Sequence, residues 1–142
     1  DLGVQSVVEV NSTLDGWEYD TRIIVGKYLD PEGRFLFEIA KIYEETVGYI
    51  IARKEYYEKD SAYLPFIAVK KGMQGKGIGS QLLERAIEKA KNLGYKNLIL
   101  DCEGSNLPFY EKFAKSNHLE HTVENVGHFR FGDTKHFITY RL

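Results

Sequence analysis

From Ile78 the apolar positions Ile78, Leu82, Leu83, Ala86, Ile87, Ala90 and Leu93 recur at helical spacing, while Glu84, Arg85, Glu88, Lys89 and Lys91 take the other side. This pattern predicts an amphipathic helix with one buried stripe. Gly94 is placed to end it in the left-handed conformation. On either side the pattern becomes that of strands. Ala62–Val69 reaches the interior at Phe66-Ile67-Ala68-Val69, and Asn97–Cys102 carries the run Leu98-Ile99-Leu100, which predicts burial on both faces. Strand, glycine loop, helix and strand together make a right-handed βαβ unit.

The remaining pattern supplies more strands. Val4–Val10 is a short apolar run that predicts a first strand. Ser12–Leu29 stays ambiguous, with Trp17, Ile23, Ile24 and Tyr28 as a possible helical stripe before a turn at Asp30-Pro31-Glu32-Gly33. Phe35–Tyr43 and Val47–Tyr56 are rich in β-branched and aromatic residues and read as two strands joined by a hairpin at Glu44-Glu45-Thr46. Ser105 or Asn106 can cap a second helix running to about Ser116, with Pro108 in its first turn, where a missing N–H is harmless. Glu120–His128 and His136–Leu142 are the last strands, turned at Gly132-Asp133. In the final strand Phe137, Thr139 and Arg141 alternate with Ile138, Tyr140 and Leu142. With no repeat, linker or low-complexity tract, residues 1–142 read as a single α/β (α+β) domain with a mixed sheet.

Composition narrows the function classes. The chain has 142 residues, 16.3 kDa, one domain's worth. No apolar run approaches the ~20 residues needed to span a bilayer, so no membrane role is expected. A net charge of −2 argues against a nucleic-acid partner. Residues 1–60 carry 7 Lys/Arg against 13 Asp/Glu, and residues 61–142 carry 12 against 8. That asymmetry suits an anionic cofactor and a cationic substrate, and equally an uneven scatter of surface charge. The single cysteine, Cys102, excludes an internal disulfide framework and fits a reducing, cytoplasmic compartment. No secretory signal stands in the opening residues, although with Asp1 as the first residue that absence carries little weight.

The chemistry concentrates in Gln74-Gly75-Lys76-Gly77-Ile78-Gly79. Three glycines opening a helix set unhindered N–H groups at the positive end of its dipole, an arrangement that binds phosphate or pyrophosphate. Lys70, Lys71 and Lys76 add positive charge; the bland alternative is a ligand-free glycine turn. The P-loop pattern fails because Ile78 follows Gly77 where lysine is required. The dinucleotide fingerprint nearly fits, but has Ser80 in third place, and Lys70–Gln74 separate the strand from Gly75 where that motif wants an abrupt turn.

Gln-x-x-Gly-x-Gly is matched by Gln74, Gly77 and Gly79, and the segment resembles the acetyl-CoA loop of the GCN5-related N-acetyltransferases. Ser105-Asn106-Leu107-Pro108-Phe109-Tyr110-Glu111-Lys112 resembles the family's second motif, an asparagine before a Tyr-bearing helix. The two motifs lie between about Leu64 and Lys115; the first 60 residues match only in layout. The resemblance implies a mixed, mostly antiparallel central sheet of about six or seven strands flanked by helices. It also implies direct attack of an amine on acetyl-CoA, with no acyl-enzyme and no metal. The pyrophosphate would rest on the backbone of Gln74, Gly75, Lys76, Gly77, Ile78 and Gly79. The pantetheine would pair with the edge of Ile67, Ala68 and Val69, an N–H near Ala68 or Val69 facing the oxyanion. Asn106 would orient the cofactor.

Within the same resemblance Tyr110 matches the general acid for the departing thiolate, core packing beside Phe109 and Phe113 being its alternative. Asp101 is the first candidate base, and Glu103, Glu55 and Glu58 compete with it; Asp101 reads equally as a capping or surface carboxylate. A homodimer is compatible with the family. One departure is the exit of the second helix, Phe113-Ala114-Lys115-Ser116-Asn117-His118-Leu119, which lacks the family's glycine. Other residues read as structural. Cys102 on a buried strand suits packing better than nucleophilic catalysis. His118 and His121 lack the further ligands a zinc site needs. Tyr43, Tyr49, Tyr56, Tyr57 and Tyr63 either wall an amine pocket or face the sheet. A non-catalytic acyl-CoA-binding module on the same fold is the alternative to an enzyme.

Overall fold

The computed structural model describes residues 2–14, 21, 22, 24, 33–128 and 134–142. Its elements are α1 (Leu2–Asn11), β1 (Arg34–Ile42), β2 (Glu45–Lys54), β3 (Ser61–Val69), α2 (Ile78–Asn92), β4 (Asn97–Glu103), a 3-10 turn at Gly104–Asn106, α3 (Leu107–Ser116), β5 (His121–His128) and β6 (Thr134–Arg141). The strands form one sheet in the order β1-β2-β3-β4-β6-β5, antiparallel throughout except for the β3–β4 pair. No helix among the described residues is long and apolar enough to cross a membrane.

Each face of the sheet carries a core. On one, Leu82, Leu83, Ala86, Ile87 and Ala90 of α2 pack with Ile50, Ala52, Leu64, Leu98, Leu100 and Ile138, joined by Tyr110 and Phe113 of α3. Burying a Leu or Ile of this stripe contributes about 1.5–3 kcal/mol. On the other face Val7 and Val10 of α1 pack with Ile24, Tyr49 and Ile51.

The βαβ unit and the helical stripe of α2 stand where the pattern puts them, with one change: Leu93 caps the helix and is half exposed. Val4–Val10 is helical, not a strand. Ser6, Val7, Val10 and Asn11 share one buried side, and Asn11 Oδ1 accepts a buried 2.8 Å hydrogen bond from the Tyr49 hydroxyl. This tertiary contact outweighs the β-propensity of four valines. The β1–β2 turn is Tyr43-Glu44, with Tyr43 at φ 56, so Glu45 and Thr46 already belong to β2. β4 is buried on one face only: Leu98, Leu100 and Cys102 point inward while Ile99 and Asp101 are partly exposed. Most of Ser12–Leu29, most of the Asp30–Gly33 turn and the Gly132-Asp133 turn lie outside the described residues.

The exit of α3 solves the missing-glycine problem with an ordinary side chain. His118 takes φ 55, donating its N–H to Lys115 O while Leu119 N bonds Ala114 O at 2.8 Å. The same pair of bonds closes α2 through Gly94 at φ 89, to Lys91 O and Ala90 O. Both are Schellman endings.

Candidate active site

The site begins as a failure of pairing. β3 and β4 run in parallel register only from Ser61↔Asn97 to Leu64↔Leu100. Beyond Leu64 comes Pro65, which has no N–H to donate. The β2–β3 register also slips here, with Ile51 opposite Phe66 but Arg53 opposite Tyr63, so β3 holds one extra residue. Such a bulge bends its strand. The two parallel strands therefore separate, and Phe66–Val69 stays paired with β2 alone. Lys70 N–H donates to Val47 O at 2.8 Å. By the two-residue alternation of an antiparallel ladder, Ala68 N–H also points to β2, while Ile67 and Val69 turn their amides to the open side. Of the two oxyanion donors considered, Val69 is thus the one facing the fork.

The glycine loop closes the mouth of this fork. Gly72, Gly75 and Gly77 have φ of 87, 79 and 82, the left-handed region that glycine enters freely. Nothing lies within 4 Å of a Cβ built on Gly75 or Gly77, so their surroundings are open. The Gln74 side chain donates to Val69 O at 3.2 Å and pins the loop to the strand. Gly77 is the N-cap of α2 without a side-chain cap, and no acidic residue sits in the first turn. A 15-residue helix thus presents bare N–H groups and uncompensated positive dipole to whatever enters.

Fork and loop open into one cleft of about 910 Å³. Ile67, Ala68, Val69, Gln74, Gly75, Gly77, Ile78, Gly79, Asn106 and Tyr110 all line it; Lys76 is exposed and is not among the lining residues. Of the two expected capping residues, Ser105 and Asn106, it is Asn106 that stands at the N-cap of α3, without a side-chain capping bond. The cleft also takes in Glu103, the competing base candidate at the end of β4, together with Phe109, Lys112, Phe113 and Ser116 of α3, and Leu14, for which no sequence signal exists. Tyr110 is 8% exposed, and burial first, then the nearness of two groups that ionise to anions, Cys102 and Asp101, push its phenol well above the ordinary value. The residue is therefore protonated across the physiological range. The Tyr140 hydroxyl donates to Tyr110 O at 2.7 Å, fixing α3 against β6.

Of the four carboxylates considered as the base, Glu103 lines the cleft and Asp101, Glu55 and Glu58 do not. Asp101 does not line the cleft; it lies on the sheet face away from α2 and α3, accepting from the Tyr63 hydroxyl at 3.0 Å and paired with Lys135 at 3.6 Å. Glu55 and Glu58 stand before β3, the full strand away from the glycine loop, which removes them. Of the five tyrosines, Tyr43 and Tyr57 are almost wholly exposed, Tyr49 is buried on Asn11, and Tyr56 lies under the Arg53 guanidinium. Tyr63 reaches a candidate catalytic group, Asp101.

A sheet forked between parallel strands, with a bare helix N-terminus at the fork, defines a protein built to hold a nucleotide-like cofactor along a strand edge. The sequence pattern of the acetyltransferase (GNAT) family matches residues 7–114, and the chain belongs to that family. A curated relative, glucosamine 6-phosphate N-acetyltransferase of Arabidopsis thaliana, is 31% identical over 87 residues, covering 56% of this chain and 58% of the relative. The chain thus spans little more than half the length of that relative. Two solved structures share the fold. The ribosomal-protein-S18-alanine N-acetyltransferase of Escherichia coli superposes with TM-score 0.75 at 18% identity, over 97% of this chain and 86% of the other. Diaminobutyrate acetyltransferase EctA of Paenibacillus lautus, in complex with its substrate and coenzyme A, gives TM-score 0.68 at 18% identity over 99% and 87%. Acetyl-CoA, the acyl donor of the family, suits a cleft with a bare helix end and an open strand edge.

Proposed function

We propose that the protein transfers the acetyl group of acetyl-CoA directly to a primary alkylamine, with Tyr110 as general acid and Asp101 as the group that receives the amine's proton. The observation that carries this reading is the fork itself, where an open strand edge, a bare helix N-terminus and a buried, protonated phenol line one cleft. The backbone from Gln74 to Gly79 holds the pyrophosphate, and Ile67 and Val69 offer amides to the pantetheine. Val69 N–H lies on the side where negative charge develops on the thioester oxygen. The amine nitrogen bonds to the carbonyl carbon, the carbon–sulfur bond breaks, and Tyr110 gives its proton to the thiolate. Asp101 approaches the amine from the opposite sheet face, directly or through a water.

The likeness to the glucosamine 6-phosphate enzyme and to EctA supports small amines as acceptors, and the likeness to the ribosomal-protein enzyme supports a protein N-terminus. The single buried cysteine fits a reducing, cytoplasmic setting. The test is thiol release from acetyl-CoA across a panel of amino sugars, diamines and peptides, with Tyr110→Phe alongside. Turnover of one class that collapses in the variant supports the enzyme. Tight acetyl-CoA binding with no turnover on any amine would instead favour a non-catalytic acyl-CoA-binding module.

A further inference from the structure

On the sheet face away from α2 and α3, side chains from three strands converge beside the fork. Asp101 and Phe137 are cross-strand partners on β4 and β6, so carboxylate and ring stand side by side. Tyr63 of β3 donates its hydroxyl to Asp101 Oδ1 at 3.0 Å. The ammonium of Lys135, two residues before Phe137 on the same face, lies 3.6 Å from Asp101 Oδ2 and 5.5 Å from the centre of the Phe137 ring. These are the attractions that recognise an alkylammonium ion: a countercharge and the negative face of an aromatic ring. The Asp101 side chain is only 19% exposed, so it has lost much of its water and depends on a cation more than a surface carboxylate does.

We propose that Asp101, Phe137 and Tyr63 form the recognition site for the acceptor's ammonium group, and that Lys135 occupies it in the free protein until the acceptor displaces it. The inference rests on the reading of Asp101 as the acceptor's proton-receiving group. Lys135 is suited to the exchange, since its side chain is one-third exposed and has a flexible four-carbon stem that can swing into water. Displacement exchanges one positive charge for another. An alkylamine that arrives protonated replaces the lysine's charge, whereas an arylamine, neutral at pH 7, would leave the half-buried carboxylate without a cation. The acceptor class is therefore a charged alkylamine.

Methylammonium binding, followed by NMR through the ring signals of Phe137 and Tyr63 without acetyl-CoA, tests this. Lys135→Met, which keeps the stem and removes the charge, is expected to bind about tenfold more tightly than the wild type. Lys135→Gln is expected to match it, Lys135→Arg to stay near the wild type, and Phe137→Leu added to Lys135→Met to abolish the gain. Equal affinity in the wild type and a folded Lys135→Met or Lys135→Gln protein overturns the proposal. The readout needs no acetyl transfer, so the two readings fail separately. Tighter binding without amine turnover sinks the enzymatic reading alone; amine turnover without tighter binding sinks the displacement alone.

Discussion

Tyr110 shows how one side chain can serve core and chemistry at once. Its ring packs edge-on to Phe109 at 5.0 Å and is buried among α3 and β4 residues, while its atoms also line the cleft. Tyr110→Phe keeps the ring and removes only the hydroxyl. The expected outcome is a loss of about 100-fold in kcat, with acetyl-CoA affinity nearly unchanged by calorimetry. An unaltered kcat would return Tyr110 to the packing role. The raised phenol pKa has a signed consequence. Because ionisation lies above the ordinary phenol value, the acid stays in its donating form as pH rises, and the alkaline limb of the kcat profile is expected above pH ~10. A limb that falls near pH 8 and persists in Tyr110→Phe belongs to another group. Asp101 carries the opposite lesson. The sequence could place an acid five residues before Asn106, but its pairing with Lys135 and Tyr63 depends on strand register, which no local pattern encodes.

At the scale of elements, the sequence was most legible where a single periodicity dominates. The stripe of α2 and the alternation of β6 were readable because burial on one side acts on every residue of the element. The α1 segment was misread because four valines within seven positions look like a strand until Tyr49, distant in sequence, supplies the contact that makes a helix worthwhile. The loop glycines were legible as a motif, and their positive φ values explain why. Gly77→Ala puts an alanine at φ 82, costing about 1–2 kcal/mol, and sets a methyl on the open side where the pyrophosphate would approach. Gly94→Ala, at φ 89 with equally open surroundings, has the same strain away from the cleft. Both variants are expected to melt about 4 °C lower, and only Gly77→Ala to weaken acetyl-CoA binding, by about tenfold or more. Equal affinity in the two would show that the loop holds no phosphate. His118→Gly runs the other way. Relief of its left-handed strain exceeds the added chain entropy by about 0.5 kcal/mol, and a melting point raised by about 2 °C is expected.

For the whole molecule, the organising fact is that the sheet is continuous at one end and forked at the other. The fork was not visible in the sequence: Pro65 stands inside a run that reads as one continuous strand, and the separation of β3 from β4 appears only where the pairing stops at Leu64↔Leu100. A fork leaves strand-edge amides without a neighbouring strand, which a protein tolerates when water or a ligand completes them. The pantetheine chain of acetyl-CoA carries amides and can act as that neighbour. Hydrogen exchange then distinguishes positions only one residue apart. Ala68 N–H, directed at β2, is expected to be protected with or without cofactor, whereas Ile67 and Val69, facing the fork, should exchange fast in the free protein and slow on adding acetyl-CoA. At about 100 times Kd the cofactor should also add ~2.7 kcal/mol to stability and raise the melting temperature by several degrees, with NAD producing neither effect. Protection that rises at all three amides together would mean general stiffening. Protection that rises at Ile67 and Val69 alone would mark acetyl-CoA as the missing strand of the sheet.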